Sequence, residues 1–304
     1  MIADIDISVI IAGKIDHLEE FDTCVKSIRD ILPNSKIIVS TWDDTDVNEV
    51  NYVLIKNKNI EPLKSKNGEI SNITRQILLV KAALKCVKTE YVLKFRPDLI
   101  LYNKQIIRNY KKDKIVVTNL FVPNPFKDPT LFHISDVVQF STYDNIKKFW
   151  DLDIKKINND KIDNLKIFGN FSGYTNFKML PEQILTINFF NKELNSHIEL
   201  PYINYADFNY LNLWIDYVFH FFIILNYSSS GVVFPGRFFK TRYKRHLLDN
   251  SHKDNFLFKS NSRWIKKIRY AIFNLNKYFL CWLNRNYYFS LLHICIGILK
   301  GRKK

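Results

Sequence analysis

The residues best suited to chemistry are Arg-Pro-Asp at 96–98, which interrupt an apolar, β-rich run that begins at Tyr91. Proline has no backbone N–H and fixes its own φ, so we expect a central strand to end at Pro97. Arg96 and Asp98 would then lie at the carboxyl edge of a sheet, where open α/β proteins bind ligands. A cation beside a carboxylate suits a phosphate-bearing ligand that also carries a metal ion. The alternative is an ion pair that closes a turn.

The elements around this point predict a mostly parallel sheet flanked by helices. A buried strand at 5–13, an amphipathic helix at 18–32 and a strand at 36–40 form the pattern of a βαβ unit. Further predicted strands lie at 52–55, 99–101, 114–118 and 137–141, and further helices at 143–150 and 182–190. The aromatic stretch 208–225 contains several polar side chains, so we assign it to the core rather than to a membrane span.

A helix that follows Ser71 is the second candidate for ligand binding. Ser71 is a suitable N-cap, and an apolar face follows at Ile73, Ile77, Val80 and Leu84. Arg75 and Gln76 fall in its first turns, beside the positive end of the helix dipole, where anions are stabilised. Gly13, after the first strand, either allows a turn or lets the backbone approach a nucleobase.

Several other side chains are candidates for acid–base or phosphate chemistry. Asp136 and Glu182 lie at element edges and are the candidate bases for a substrate hydroxyl, although each is equally suited to stabilising a turn or a helix dipole. His133 is better explained as a loop histidine than as a base. A basic group near the end of the chain either grips a phosphate or is a solvated face: Arg237, Arg242, Arg245 and His246.

Charge is distributed unevenly along the chain. Residues 236–304 hold 17 Lys and Arg but only 2 Asp and Glu, whereas residues 1–235 hold 28 of each kind, so the net charge of +15 comes from the tail. Such a tail is expected to meet a polyanion, either lipid headgroups or nucleic acid. No nucleic-acid-binding module is recognisable, so we expect a lipid surface and no nucleic acid.

The tail has the pattern of a basic amphipathic helix at 264–283, followed by an uncharged segment at 286–299 that is too short to span a membrane. We therefore predict two parts, a catalytic domain at 1–235 and a membrane-surface tail at 236–304. The alternative is a helical hairpin whose apolar face covers the domain. Four cysteines without metal-ligand spacing and an N-terminus without a basic region predict a reduced cytosolic protein without a signal peptide.

Six motifs occur in an order that resembles the WavE-type lipopolysaccharide synthesis proteins, a glycosyltransferase-like bacterial family. They are Ile-Ser-Val-Ile-Ile-Ala-Gly at 7–13, Ile-Val-Ser-Thr-Trp at 38–42, Asn-Ile-Thr-Arg-Gln at 72–76, Tyr-Val-Leu-Lys-Phe-Arg-Pro-Asp at 91–98, His-Ile-Ser-Asp at 133–136 and Pro-Glu-Gln at 181–183. The resemblance covers roughly 5–235 and leaves the basic tail outside. Two departures are Ala-Gly-Lys at 12–14, where the family has Gln-Gly-Pro, and a single carboxylate at 98.

Together, the sheet and the Arg-Pro-Asp motif predict a GT-A-like, α/β glycosyltransferase domain. The donor site would consist of Gly13, Thr41, Asn72, Arg75, Gln76 and Arg96. Asp98 would replace the usual Asp-x-Asp and hold a divalent cation, Mn²⁺ or Mg²⁺, if the enzyme needs one. The resemblance places Asp136 and Glu182 on the acceptor side. The expected substrates are a nucleotide-sugar donor and a lipid-linked or oligosaccharide acceptor at the cytoplasmic face of an anionic inner membrane; the alternative is a non-catalytic, membrane-attached scaffold.

Overall fold

The computed structural model describes residues 2–47, 51–64, 70–126, 130–157, 179–200, 207–239, 247–254, 265–272 and 274. Most of the connection predicted at 153–178, most of the tail helix predicted at 264–283, and the segment 286–299 lie outside these residues.

One large sheet organises the part of the chain that the structure describes. The strands, in chain order, are β1 (Ile7–Ala12), β2 (Lys36–Trp42), β3 (Val53–Asn57), β4 (Leu63–Lys64), β5 (Ile70–Ser71), β6 (Tyr91–Phe95), β7 (Ile100–Leu101), β8 (Ile115–Thr118), β9 (Gln139–Thr142), β10 (Phe222–Leu225) and β11 (Val232–Val233). Seven of them form the sheet in the order β10-β8-β9-β6-β1-β2-β3, in which β9 alone runs antiparallel to its neighbours. The predicted α/β fold, with a mostly parallel sheet flanked by helices, is confirmed.

Helices cover both faces of this sheet. In chain order they are α1 (Leu18–Ile31), α2 (Ile73–Leu84), α3 (Gln105–Arg108), α4 (Tyr143–Trp150), α5 (Pro181–Glu193) and α6 (Phe208–Phe221). All six residues of β1 are buried, with Ile10 facing a core made with α2, α4, α5 and α6, and Val9 facing a core made with α1 and α3. Burial on both faces explains why this strand is an unbroken apolar run.

Two local predictions at the ligand edge need correction. The chain leaves the large sheet after Phe95, and Ile100–Leu101 pairs with β11 in a separate antiparallel ribbon instead of resuming the same strand. Ser71 belongs to β5, so the N-cap of α2 is Asn72, which makes no side-chain capping bond. In the first case the pairing of Ile100–Leu101 with β11 overrides the strand signal, and in the second the pairing of Ser71 with Leu63 overrides the capping signal.

The aromatic stretch at 208–225 is core, as predicted. It forms α6 and the edge strand β10, and Trp214, Val218 and Ile224 are fully buried. Within the described residues, no helix has the length and apolar character needed to cross a membrane.

The described pieces of the basic tail pack directly on the sheet domain. Leu247 forms an isolated antiparallel β-bridge with Pro123, and Leu248 is fully buried. The side chain of Asn250 accepts a hydrogen bond from the backbone N–H of Ile224 at 3.1 Å. The division of the chain at residue 235 stays a prediction. Residues 247–250, on the tail side of this division, contact Pro123 and Ile224 of the sheet domain.

A tail helix at residues 265–272 docks against α6 through charge. Arg269 is fully buried and its Nη1 lies 2.9 Å from Asp216 Oδ1, while Lys266 Nζ lies 3.0 Å from Oδ2 of the same carboxylate. Ile272 and Tyr270 pack against the core. Residues 265–272 therefore cover part of the sheet domain, and Arg269 does not lie on a solvated face.

We expect Asp216→Ala to destabilise the protein strongly, because it removes a carboxylate that pairs with the fully buried guanidinium of Arg269. Removing one partner of a buried ion pair costs about 3–5 kcal/mol. The free energy of unfolding from urea titration measures this loss, and Lys267→Ala, at an exposed position on the same helix, is the matched control. Equal stability of Asp216→Ala and the wild type would show that the helix is not docked in this way.

Candidate active site

A cavity of about 490 Å³ opens at the carboxyl ends of β1, β2 and β6. Six of the nine site residues predicted from the sequence line it: Gly13, Asn72, Arg75, Gln76, Arg96 and Asp98. The remaining three, Thr41, Asp136 and Glu182, do not. Parallel strands bring these distant motifs to one edge because their carboxyl ends meet there.

The Arg-Pro-Asp turn forms the floor of the cavity directly after β6. Arg96 donates from Nε to Asp98 Oδ1 at 3.1 Å and from Nη2 to Oδ2 at 3.2 Å, a two-bond pairing of guanidinium and carboxylate. The Asp98 side chain is only 7% exposed, whereas Arg96 is 32% exposed and presents its remaining donors to the cavity. Burial lowers the pKa of Arg96, and the nearby Asp136 and Glu182 oppose that effect.

A second guanidinium reaches the same carboxylate from a distant part of the chain, at the start of the basic tail. Arg237, in a 3-10 turn at Gly236–Phe239, donates from Nη2 to Asp98 Oδ2 and lines the cavity. The centroid of the Phe238 ring lies 5.3 Å from the Arg96 guanidinium and 5.6 Å from that of Arg237, so one aromatic ring contacts both cations. The other members of the basic group, Arg242, Arg245 and His246, lie outside the described residues.

The surroundings of Asp98 do not fit a divalent cation. Both carboxylate oxygens accept hydrogen bonds from guanidinium groups, and a metal ion would have to displace at least one of them. Within the described ranges, no three His, Cys, Asp or Glu side chains are grouped as metal ligands. The assignment of Asp98 as a metal ligand therefore stays a sequence-based prediction that this geometry does not favour.

Gly13 lies where the first loop meets the Arg-Pro-Asp turn. A Cβ at this position would come within 2.8 Å of Pro97 Cδ, so only glycine allows the two loops to approach this closely. The backbone N–H of Gly13 donates to Ser40 O at 3.2 Å, which ties the first loop to β2. The glycine predicted from the sequence therefore shapes the cavity wall.

The first turns of α2 form the opposite wall. The Arg75 guanidinium lies 4.9 Å from the Trp42 ring, and it donates to Asn59 Oδ1 at 2.8 Å and to Asn72 Oδ1 at 3.3 Å. Gln76 Oε1 is buried and finds no hydrogen-bond partner among the described residues. An acceptor without a partner, beside a stacked cation and an indole ring, is suited to a planar, N–H-bearing ligand group.

Thr41, which was predicted to belong to the donor site, does not line the cavity and has a structural role. Its side chain is fully buried, and its hydroxyl lies 3.1 Å from that of Thr45, where it closes the turn after β2.

The two predicted bases belong to a buried charge cluster beneath the cavity. Lys94, which lines the cavity, donates from Nζ to the backbone carbonyl of Asp136, and His133 Nε2 lies 3.5 Å from Glu182 Oε2. Burial raises the pKa of Asp136 despite its attraction to Lys94. Burial acts in the same direction on Glu182, but the charges of His133 and Lys94 hold its pKa below the ordinary value.

Lys94 and Arg237 are the residues that the sequence reasoning undervalued. Lys94 interrupts an apolar strand, Tyr-Val-Leu-Lys-Phe, and a lysine inside a buried strand was the available signal. Its Nζ lies 5.1 Å from the Trp150 ring, and burial lowers its pKa to about 8. Arg237 was noted only as one member of a basic group, and its pairing with Asp98 had no local signal because that partner lies 139 residues earlier in the chain.

The fold and the cavity define an α/β protein whose ligand-binding cavity, at the carboxyl edge of the sheet, is lined by positively charged side chains. The family model for WavE lipopolysaccharide synthesis matches residues 7–290, and the chain belongs to that family. The motifs had suggested that the basic tail lies outside the family. The match extends well beyond residue 235, so most of the tail falls within the family.

Among solved structures, a mutant of Drosophila β-1,4-galactosyltransferase 7 with manganese, UDP-Gal and xylobiose matches at a TM-score of 0.35 and 9% identity, covering 84% of this chain and 80% of that chain. The mannosyltransferase PcManGT from Pyrobaculum calidifontis, with GDP-Man and Mn²⁺, matches at 0.33 and 10%, covering 48% of each chain. The bifunctional IspDF from Campylobacter jejuni matches at 0.32 and 16%, covering 50% and 44%.

The chain spans about half the length of the first matched structures, 51% and 44%. At these identities and TM-scores, the matches assign no substrate, cofactor or activity to this chain. A search of curated proteins finds no match.

We expect the affinity of the cavity for a nucleoside diphosphate to fall several-fold as pH rises from 7 to 9. The pKa of Lys94 is about 8, so its positive charge is present below that pH and is lost above it. Isothermal titration calorimetry measures the change. Lys94→Met should bind weakly at both pH values, and Lys26→Met, an exposed position on α1, should behave as the wild type does. A pH dependence that survives in Lys94→Met would contradict this role.

Proposed function

We propose that this protein is a glycosyltransferase that moves a sugar from a nucleotide-sugar donor to a growing lipopolysaccharide, O-antigen or capsule glycan. The observation that carries the proposal is the pair of guanidinium groups, Arg96 and Arg237, held on Asp98 at the sheet edge of a chain that belongs to a lipopolysaccharide synthesis family. Sugar transfer from such a donor releases the nucleotide, and the negative charge that grows on its phosphate oxygens must be stabilised.

The cations of the cavity are suited to this task without a metal ion. Arg96 and Arg237 would bind the phosphate oxygens of the donor, because each keeps N–H donors beyond those given to Asp98. Lys94 adds a third positive charge from the cavity floor. Asp98 would then position the two arginines instead of touching the ligand.

The wall formed by α2 would hold the nucleoside. The Arg75 guanidinium, which lies over the buried Trp42 ring, offers a planar surface for stacking, and Asn72 and Gln76 offer amides that pair with the edge of a base. This arrangement supports the donor roles expected for Asn72, Arg75 and Gln76, and it leaves the nucleobase open because amides pair with several bases.

We propose in addition that the protein works at the cytoplasmic face of the inner membrane on a lipid-linked or oligosaccharide acceptor. The support is the charge of the tail, 17 basic against 2 acidic residues over 236–304. Lys266 and Arg269 are paired with Asp216, so the cations that face the lipid would be other members of the tail.

The donor proposal predicts a nucleotide-specific stabilisation in thermal melts. With UDP-, GDP-, CMP- and dTDP-sugars in turn, one nucleotide should raise the melting temperature by several degrees, because a ligand at 100 times its Kd adds about 2.7 kcal/mol. Arg96→Gln should lose the shift, and Arg108→Gln, an exposed arginine on α3, should keep it. The shift should appear without Mn²⁺, since guanidinium groups already occupy Asp98.

Absence of any nucleotide-dependent shift would favour the alternative, a non-catalytic scaffold of a polysaccharide assembly complex. A shift that requires Mn²⁺ would show instead that a cation displaces an arginine from Asp98.

The membrane proposal predicts that the full chain floats with anionic phosphatidylglycerol vesicles and not with phosphatidylcholine vesicles. Raising the salt concentration should release it, because the attraction is screened within about 10 Å at 0.1 M salt. Equal flotation with both vesicle types, or tight and steeply salt-dependent binding to RNA in place of vesicles, would contradict a lipid partner.

A further inference from the structure

A second cavity of about 370 Å³ adjoins the first, on the outer side of the Arg-Pro-Asp turn. One wall comes from α1, with Glu19, Glu20 and Thr23, and the other is the apolar surface around Val233 and Phe234. Glu20 and Asp98 line both cavities, so the two spaces meet at these carboxylates.

We propose that this second cavity binds the sugar acceptor and that Glu20 is the base that takes the proton from its attacking hydroxyl. The inference rests on the function proposed above and adds to it the place of the acceptor and the identity of the base. An acceptor must reach the anomeric carbon of the donor, and the junction of the two cavities is where the described residues allow that contact.

The lining of the second cavity suits a carbohydrate. Glu19 and Glu20 carry carboxylate oxygens that accept hydrogen bonds from sugar hydroxyls, and the Thr23 hydroxyl, which donates to the Glu19 carbonyl at 2.7 Å, offers a further acceptor. Val233, which is 49% exposed, and Ile100, which is 37% exposed, provide an apolar surface for the C–H face of a sugar ring. A ligand with hydroxyl groups on one side and an apolar face on the other fits both walls.

Glu20 is better placed for the reaction than the two bases expected from the motifs. Asp136 and Glu182 line neither cavity and are engaged in the buried cluster. The Glu20 side chain is 50% exposed, and its Oε2 lies 4.0 Å from Nη1 of Arg237, the cation that would bind the leaving group. Base and leaving-group cation are therefore neighbours.

The chemistry balances with these groups alone. The acceptor oxygen forms a bond to the anomeric carbon while the bond from that carbon to the phosphate oxygen breaks. The hydroxyl proton passes to Glu20, and the electron pair of the broken bond leaves on the nucleotide, whose phosphate is held by Arg96 and Arg237.

The test compares Glu20→Gln with Asp22→Asn, a matched carboxylate-to-amide change at an exposed position on α1 that lines neither cavity. The full chain is supplied with the nucleotide sugar that stabilises it most, and nucleotide release is followed with methyl glycosides of glucose, galactose and mannose, and with water alone. Glu20→Gln should lower kcat at least about 100-fold while it still shows a donor-induced melting shift, at least as large as that of the wild type, because Arg237 keeps its charge and loses a competing carboxylate. Asp22→Asn should match the wild type.

Full activity of Glu20→Gln, with the donor shift intact, would overturn this inference and leave the proposed function standing. If no nucleotide sugar stabilises the wild type, the proposed function fails first and this inference falls with it.

A binding measurement decides the matter if the donor binds but no turnover is seen. Saturation-transfer NMR with the nucleoside diphosphate present should detect a methyl glycoside bound to the wild type and lose that signal in Thr23→Trp, whose side chain fills the second cavity. An undiminished signal in Thr23→Trp, or no glycoside signal in the wild type, would overturn the placement of the acceptor.

Discussion

The carboxylate of Asp98 is the constraint on which the rest of the site depends. It lies at the end of β6 with only 7% of its side chain exposed, and it holds two guanidinium groups that come from opposite parts of the chain. A free arginine side chain loses considerable entropy when it is fixed, and a shared carboxylate makes that ordering part of folding. Arg96 and Arg237 are therefore oriented before a ligand arrives, which is the property that electrostatic catalysis requires.

A cavity with several fixed cations would be unstable without balancing charge beneath it. Asp136 and Glu182 lie in that position, and their attraction to Lys94 and Arg96 opposes the loss of charge that burial imposes on both cations. We infer that these two carboxyl groups maintain the positive potential of the cavity. Neither carboxyl group lines the cavity, yet the charges of both act on Lys94 and Arg96, which do.

Much of the fold was readable from the sequence because its signals are local. The apolar runs of β1 and β2, the helical spacing of α2 and the break at Pro97 each follow from a few neighbouring residues. The parts that failed depend on distant partners: Ile100–Leu101 pairs with β11, and Arg237 pairs with Asp98. Composition likewise identified the tail as basic, but it gave no sign that Arg269 would be buried on Asp216, since that carboxylate belongs to α6.

A crystal structure of the full chain with its most stabilising nucleotide tests the proposed site most directly. We predict phosphate oxygens within hydrogen-bonding distance of both Arg96 and Arg237, above the carboxyl ends of β1 and β6. A nucleotide bound at another face, with both guanidinium groups still bonded to Asp98 alone, would rule out the phosphate site proposed here.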